Sequence, residues 1–141
     1  MSCRYFKLHT VMLKLYIGNK NYSSWSMRPW VLMQHAGIAF EEQMLRFDNV
    51  APQSRFKQQA LQLAPTGQVP ILEDGNLRIW DSLAIAEYLA ERHPELALWP
   101  RTLADRALAR SVCADMHSGF TALRQLLPMN IEAKLPEIGA Q

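Results

Sequence analysis

A short hairpin followed directly by a helix constrains the fold of this chain more than any other sequence feature. Two apolar runs, residues 71–72 and 77–80, flank Asp74-Gly75. Apolar runs separated by Asp-Gly are typical of a β-hairpin with a tight turn. Asp81-Ser82 then opens an apolar helical run, and the pattern predicts Ser82 as the helix N-cap.

A proline at the start of the first hairpin strand indicates a backbone edge that the sheet does not use. Pro70 has no N–H, so it belongs at a strand start or on an edge. Its neighbour Val69 keeps an N–H and a C=O, and a cis Val69-Pro70 bond would direct both toward solvent. Such an edge can pair with an extended, peptide-like ligand. The free N–H groups at the following helix start attract a carboxylate, and Asp81 offers a negative charge to an amino group. We therefore expect both ends of an amino-acid zwitterion to bind here.

The order of these residues resembles the thioredoxin-like glutathione-binding domain of the glutathione transferases. The resemblance rests on Gln68-Val69-Pro70, the hairpin, and Asp81-Ser82 at the start of the next helix. It implies that Val69 pairs with the cysteinyl backbone of glutathione, with Gln68 and Pro70 in the same binding set. It also implies that Asp81 and Ser82 hold the γ-glutamyl end, and that glutathione is a cosubstrate.

A serine-rich loop lies between the first predicted strand and the first predicted helix. The sequence pattern Ser23-Ser24-x-Ser26-x-Arg28 is similar to the serine motif of the zeta class, which includes maleylacetoacetate isomerases. Ser23 matches the catalytic serine of that motif, whereas Trp25 stands where that class carries a cysteine. A free thiol has a pKa of about 8.5, and only the thiolate attacks electrophiles. The resemblance therefore implies that Ser23 donates a hydrogen bond to the sulfur. Ser24 and Arg28 are further candidates for glutathione binding, and Ser26 for the helix cap.

The resemblance to the family implies further candidates. Arg55 and Lys57 lie where relatives place a group for the glycine carboxylate of glutathione. His117, Phe120 and Arg124 are predicted to line the side of the electrophile.

The composition excludes several function classes. The chain of 141 residues has a net charge of +2 and no cluster of Lys and Arg, which argues against nucleic acid as a partner. It has no apolar run long enough to cross a membrane. Cys3 and Cys113 are far apart, and the four histidines show no ligand spacing, so no metal site is expected. Two cysteines without a disulfide framework are typical of a reducing compartment, and we expect a cytoplasmic protein.

The predicted element order is β-α-β-α-β-β-α, the order of an α/β thioredoxin-like domain, over residues 12–93. Its first strand is residues 13–17 and its first helix residues 26–35, with Pro29 in the first turn. The second strand is predicted at 40–47 and the second helix at 54–63. Residues 1–11 are predicted to be a disordered extension, and residues 94–101 a linker.

Residues 102–141 resemble the start of the all-helical second domain of the family, and we expect this domain to be truncated. Thr102 is predicted to cap one long helix, with Asp105 three residues on. Its apolar stripe at helical spacing is predicted to serve packing: Val112, Met116, Phe120, Leu123 and Leu127.

Two functions remain open at this point. The first is a glutathione-dependent transferase or isomerase that attacks a small hydrophobic electrophile, with a homodimer as the expected assembly. The alternative is a non-catalytic interaction module, or a truncated product that lacks a complete electrophile pocket. A thiol–disulfide oxidoreductase is disfavoured, because that chemistry requires a cysteine where Ser23 stands.

Overall fold

The protein forms four strands and five α-helices in the part of the chain that the structure describes. The structure is a computed structural model that describes residues 12–49, 51–134 and 136, so the extension predicted at 1–11 lies outside it. A short 3-10 helix, Pro94–Leu96, separates α3 from α4. The elements are, in chain order, β1 (Leu13–Ile17), α1 (Ser24–His35), β2 (Phe40–Met44), α2 (Arg55–Leu63), β3 (Ile71–Asp74), β4 (Leu77–Trp80), α3 (Ser82–Arg92), α4 (Leu103–Ser118) and α5 (Thr121–Leu126).

The four strands form one mixed sheet in the order β2-β1-β3-β4. The first two strands are parallel and are connected through α1, whereas β3 pairs antiparallel with both β1 and β4. This arrangement is the thioredoxin-like sheet that the sequence predicts, followed by a helical region. The β1 strand is central, because it has a hydrogen-bonded partner on both sides.

The main core lies between the sheet and helices α1 and α3. Alternate residues of β1 are buried because successive side chains of a strand point to opposite faces. They pack in one cluster with Met33 of α1 and with Ile85 and Leu89 of α3. The apolar stripe of α3 therefore fixes its first turn against the sheet, beside the end of β4.

The hairpin turn lies one residue later than predicted. Asp74 pairs with Leu77, which leaves Gly75 and Asn76 as the two turn residues. Gly75 has a φ of +60°, in the left-handed region that glycine adopts without steric cost. The predicted Asp74-Gly75 turn is corrected accordingly.

Helix α1 begins two residues before its predicted start. Its N-cap is Ser23 rather than Ser26, so Pro29 lies at the sixth helical position instead of the first turn. Pro29 is fully buried. The missing N–H of Pro29 leaves the Trp25 carbonyl without its helical donor, and burial of the proline ring offsets part of that cost.

The second strand is also shorter than predicted and ends at Met44. The second helix keeps its predicted end, with Ser54 as its N-cap: the Ser54 hydroxyl accepts a hydrogen bond from the Lys57 N–H.

The prediction of one long helix after Thr102 is wrong. Thr102 caps α4 as predicted, since its hydroxyl accepts a hydrogen bond from the Asp105 N–H at 3.1 Å. However, α4 ends at Ser118, and Phe120 has a φ of +60°. A Cβ on Gly119 would lie 2.7 Å from the Asp115 carbonyl oxygen, so this close approach requires glycine. The apolar stripe is thus divided between α4 and α5, where most of it is exposed.

We expect Leu15→Ala to destabilise the protein strongly, because Leu15 is 0% exposed at the centre of the core. Loss of a buried leucine typically costs about 2–5 kcal/mol, including the cavity that remains. Leu77→Ala is the matched control, since Leu77 lies in the same sheet but is 50% exposed, and it should cost much less. Urea denaturation measures both, and equal losses would contradict the assignment of the core.

The attachment of α4 to α3 should weaken in acid. Two guanidinium nitrogens of Arg110, Nε and Nη2, each donate to the Glu87 carboxylate at 3.0 Å, and these hydrogen bonds hold the Glu87 pKa below its ordinary value of 4.5. A carboxyl group with a lowered folded pKa stabilises the fold above its unfolded pKa, and this contribution disappears as the pH falls through the folded value.

Hydrogen exchange of the α4 amides, measured from neutral pH to below pH 4.5, tests this prediction. Protection of α4 should fall with pH in the wild-type protein, after correction for intrinsic exchange rates. Glu87→Gln should show low protection of α4 throughout, with this step absent. If wild type and Glu87→Gln lose protection of α4 over the same pH range, another titrating group causes that loss.

Candidate functional site

A cavity of about 660 Å³ lies at one end of the sheet. It is formed where the loop after β1, the loop before β3 and the residue before α3 meet. Its lining residues are Tyr22, Ser23, Ser24, Trp25, Phe47, Phe56, Thr66, Gln68, Val69, Pro70, Trp80, Asp81 and His117. Six of the nine site residues predicted from the sequence are therefore brought together: Ser23, Ser24, Gln68, Val69, Pro70 and Asp81.

The Val69-Pro70 segment presents an unused backbone edge to the cavity. The Val69-Pro70 peptide bond is cis, as the sequence hypothesis required. Antiparallel pairing with β1 begins at Ile71, which pairs with Tyr16. Among the described residues, neither the N–H nor the C=O of Val69 has a hydrogen-bond partner. Both groups are thus available to the backbone of an extended ligand.

The loop before this edge is fixed by a lysine. The ammonium group of Lys57 donates to the carbonyl oxygens of Thr66 at 2.9 Å and Gly67 at 3.0 Å. Lys57 therefore supports the loop that carries Gln68 rather than facing the cavity. Arg55 is exposed at the start of α2, where its N–H donates to Asp48, and it is absent from the described lining residues.

Asp81, rather than the predicted Ser82, is the N-cap of α3. The Asp81 Oδ1 accepts hydrogen bonds from the N–H groups of Leu83 at 2.8 Å and Ala84 at 3.3 Å. Asp81 has a φ of +76° and a ψ of 129°, outside the left-handed helical region, and this backbone conformation is strained for a residue with a Cβ. Its second oxygen, Oδ2, lies 3.0 Å from Nε2 of His117. The carboxylate thus joins α3 to α4 while facing the cavity.

Ser82 is displaced from its predicted capping role to a buried position. It is the first residue of α3 and does not belong to the described lining of the cavity. Its Oγ is buried and has no hydrogen-bond partner among the described residues. Buried polar groups without a partner are uncommon in folded proteins, so this hydroxyl fits an additional polar partner next to Asp81.

The serine loop places two hydroxyl groups in contact at the start of α1. The Oγ atoms of Ser23 and Ser26 are 2.8 Å apart, and both residues are buried. The Gly18 N–H donates to the Ser26 Oγ at 3.1 Å. Within the described structure, the Ser23 side chain accepts no capping hydrogen bond from the first turn of α1. The Ser23 hydroxyl is therefore free from helix capping and lies at the cavity wall.

A cationic cluster surrounds Trp25 beside this wall. The guanidinium carbons of Arg28 and Arg124 lie 4.2 and 4.5 Å from its ring centroid, and the His117 ring meets its edge at 5.2 Å. Burial lowers the pKa of the Arg28 guanidinium, and the charge of Arg124 lowers it further. Of the three residues predicted for the electrophile side, His117 lines the cavity, whereas Arg124 and Phe120 are outside its described lining, as is Arg28.

Sequence reasoning missed the aromatic part of the cavity. Phe47 and Phe56 meet edge to face at 4.7 Å, and Trp80 adds a third ring. The Phe47 N–H donates to the Asn19 side chain at 2.8 Å, which fixes this residue beside the β1 end. The sequence contained one indication of Phe47, because it is the last residue of the segment predicted as the second strand.

Two other kinds of site are absent from the described residues. No group of three or more His, Cys, Asp or Glu side chains there is arranged to hold a metal ion. In that part of the chain, no helix is both long and apolar enough to cross a membrane.

Comparison with known proteins identifies the same region. The family model described as "Glutathione S-transferase, N-terminal domain" matches residues 22–92. Glutathione S-transferase 1 of Dianthus caryophyllus is 32% identical over 130 residues, which are 89% of this chain and 55% of that protein. Maleylacetoacetate isomerase of Dictyostelium discoideum is 33% identical over 113 residues, 79% of this chain and 51% of that protein. The chain thus spans about half the length of these relatives.

Solved structures resemble this fold as well. A glutathione transferase homologue from Burkholderia with bound glutathione superposes with a TM-score of 0.66 and 32% identity, covering 81% of this chain and 60% of that chain. A theta-class glutathione S-transferase from Xanthomonas axonopodis pv. citri, also with glutathione bound, has a TM-score of 0.64 and 28% identity, covering 80% and 52%.

Substitutions at Asp81 should separate its role in the helix cap from its charge. Asp81→Ala removes the acceptor for two N–H groups and places alanine at a positive φ, so we expect a loss of about 1–3 kcal/mol in the free energy of unfolding. Asp81→Asn retains an oxygen acceptor for the helix cap in a side chain of the same shape, and it should cost much less. Urea denaturation measures both variants, and an equal loss would exclude the capping role.

Proposed function

The chain belongs to the glutathione S-transferase N-terminal domain family, and on this premise we propose that it binds glutathione and stabilises its thiolate for attack on a small hydrophobic electrophile. The observation that carries the proposal is one cavity that contains a carboxylate, a hydroxyl group that does not cap its helix, and a backbone edge without a partner among the described residues. These are the three kinds of group that a γ-glutamyl tripeptide with a thiol requires.

The residues present fit glutathione. The unpaired N–H and C=O of Val69 would bind the cysteinyl backbone, with Gln68 and Pro70 beside it. The Asp81 carboxylate would hold the γ-glutamyl amino group. The partnerless buried hydroxyl of Ser82 would serve the adjacent carboxylate, together with the N–H groups at the start of α3. Arg28 and Arg55 are outside this set, because neither lines the cavity.

Glutathione supplies the sulfur nucleophile when it is bound. The chain contributes stabilisation of the thiolate through Ser23, with Ser24 next to it at the positive end of α1. Lowering a thiol pKa by about two units requires about 2.7 kcal/mol of preferential stabilisation. A hydrogen bond to a charged group contributes about 1.5–3 kcal/mol, and a sheltered helix end up to about 2 kcal/mol. Ser23 and the helix end together therefore account for such a shift.

The electrophile would bind on the aromatic side of the cavity. The rings of Trp25, Phe47 and Trp80 offer apolar contact area next to Ser23. Apolar walls with few polar groups favour a small hydrophobic electrophile. Because Trp25 replaces the cysteine of the zeta-class motif, the proposal covers transferase chemistry in general, with isomerisation as one form of it.

We also propose a homodimer that works in the cytoplasm. Exposed apolar residues on α4 and α5, among them Val112 and Leu123, supply a surface suited to a second subunit. Cys113, the cysteine within the described residues, is free, as in a reducing compartment. The same apolar surface favours one alternative function, a non-catalytic module that binds glutathione and a protein partner.

Ser23→Ala tests the catalytic proposal. We expect turnover with a model aromatic halide to fall about tenfold to a hundredfold, because one hydrogen bond to a charged sulfur is lost. Glutathione affinity, measured by calorimetry, should change less than about threefold, because the Val69 edge and Asp81 remain.

Ser111→Ala is the control, since the Ser111 hydroxyl donates to the Ala107 carbonyl on the exposed α4. It should leave turnover and affinity unchanged. Turnover in Ser23→Ala equal to wild type would remove Ser23 from the mechanism. Capture of the wild-type protein on glutathione resin without any conjugation would instead support the non-catalytic module.

A further inference from the structure

We propose that Ser26 is a positioning residue that sets the direction of the Ser23 hydroxyl hydrogen, an inference that rests on the proposed function. Three groups form a continuous chain of hydrogen bonds: the Gly18 N–H, the Ser26 hydroxyl and the Ser23 hydroxyl. The chain begins at the end of the central strand and ends at the cavity wall. Ser26 does not line the cavity, so it acts through Ser23.

The sequence brings these three groups together for separate reasons. Ser23 and Ser26 are three residues apart at the start of α1, and side chains at this spacing lie on one face of a helix. Gly18 follows the last residue of β1, so its N–H is not taken by the sheet. A Cβ at Gly18 would lie 2.4 Å from the Phe47 ring, and glycine therefore permits the close packing of this turn.

Two directions are possible for the bond between the serines, because each hydroxyl has one hydrogen and two lone pairs. If Ser23 donates to Ser26, the Ser26 oxygen accepts two hydrogen bonds and the buried Ser26 hydrogen has no partner among the described residues. The Ser23 oxygen then presents only lone pairs to the cavity, and these repel a thiolate.

The opposite direction pairs the Ser26 hydroxyl hydrogen and leaves only the Ser23 hydrogen, at the cavity wall, for a ligand. The Gly18 N–H donates to Ser26, Ser26 donates to Ser23, and the Ser23 hydrogen is directed into the cavity. Because Ser26 is only 3% exposed and Ser23 7%, an unpaired hydroxyl hydrogen at Ser26 is penalised. A hydroxyl that accepts a hydrogen bond also becomes a better donor, so the Gly18 N–H strengthens the whole chain. Ser26 thereby makes Ser23 a donor toward sulfur.

The helix start supports this assignment. A serine at an N-cap ordinarily accepts a hydrogen bond from the N–H of the first turn. Within the described structure, Ser23 makes no such bond, and its hydroxyl contacts Ser26 instead. A Ser23 side chain that capped the helix would instead accept from the backbone N–H of Trp25 or Ser26. The observed arrangement therefore serves the hydroxyl pair in place of the helix cap.

The pKa of bound glutathione provides the test, since it reports the hydrogen bond to sulfur without turnover. Ultraviolet absorbance of the thiolate is followed against pH in the full chain saturated with glutathione. We expect Ser26→Ala to raise this pKa, so that the thiolate fraction at a fixed pH below it falls roughly threefold to tenfold. The dissociation constant of glutathione at a pH below the wild-type pKa should change less than about threefold.

The double variant Ser23→Ala/Ser26→Ala shows whether Ser26 acts through Ser23. If it does, the second substitution leaves the pKa of the Ser23→Ala protein unchanged. A further rise in the pKa in that background would overturn the proposal. The proposal would also be overturned if the wild-type protein lowers the pKa of bound glutathione and Ser26→Ala leaves that pKa unchanged.

Two further variants keep the test independent of folding. Ser26→Ala leaves the Gly18 N–H unpaired and lowers stability, so Ser54→Ala serves as a matched control. Ser54 is also buried, at 5% exposure, but it caps α2, and its loss should lower stability without changing the thiolate pKa. Ser26→Cys keeps the size of the side chain with a weaker donor, and it should raise the pKa even where Ser26→Ala does not fold.

The wild-type protein separates the two levels of the proposal. A lowered thiol pKa in wild type that persists in Ser26→Ala and Ser26→Cys overturns only the role of Ser26. Failure of the wild-type protein to bind glutathione, or a bound thiol with its ordinary pKa, overturns the proposed function and the role of Ser26 together.

Discussion

The register of three strands assembles the whole cavity. Tyr16, near the end of β1, pairs with Ile71 at the start of β3, and Ile71 pairs with Trp80 at the end of β4. The chain therefore leaves β1, enters β3 and leaves β4 at the same end of the sheet. Because adjacent strands lie about 4.8 Å apart, the serine loop, the Val69 edge and Asp81 must be neighbours there. A shift of one residue in either pairing would move them apart and reverse the buried faces.

Local sequence patterns predicted most of the fold. The errors lie at positions where an unusual backbone conformation or a contact between distant residues determines where a helix begins or ends. The bounds of β1 followed from short-range apolar spacing, and so did the presence of a helix after the hairpin. Nothing in the local sequence indicates the positive φ of Asp81, which moves the helix cap from Ser82 to its neighbour. The break after Ser118 likewise depends on Gly119 approaching the Asp115 carbonyl. Within the site, the contact between Asp81 and His117 joins residues 36 positions apart, beyond the reach of any periodicity argument.

The start of each helix at the cavity departs from ordinary local preferences. At α1, the Ser23 hydroxyl contacts another hydroxyl instead of capping the helix, although a side-chain cap typically contributes about 1 kcal/mol. At α3, Asp81 adopts a positive φ and Ser82 buries a hydroxyl without a partner in the described structure. Natural sequences break such rules mainly at functional sites, where other parts of the core compensate. Ser23 and Asp81 both line one cavity, which supports the proposal that these departures serve binding.

One carboxylate couples the proposed ligand to the helical region. The Asp81 Oδ1 accepts two backbone N–H groups of α3, while Oδ2 lies 3.0 Å from the imidazole of His117 on α4. An ionised carboxylate has about four lone-pair sites, so it can also accept an amino group. Under the proposed function, the ligand and α4 then share the same negative charge. Linkage requires that the change which ligand binding makes in the free energy of the α4 contact equals the change which the α4 contact makes in the free energy of ligand binding. Under the proposed function, the attachment of α4, and of the Trp25 cluster beside it, is therefore coupled to glutathione binding.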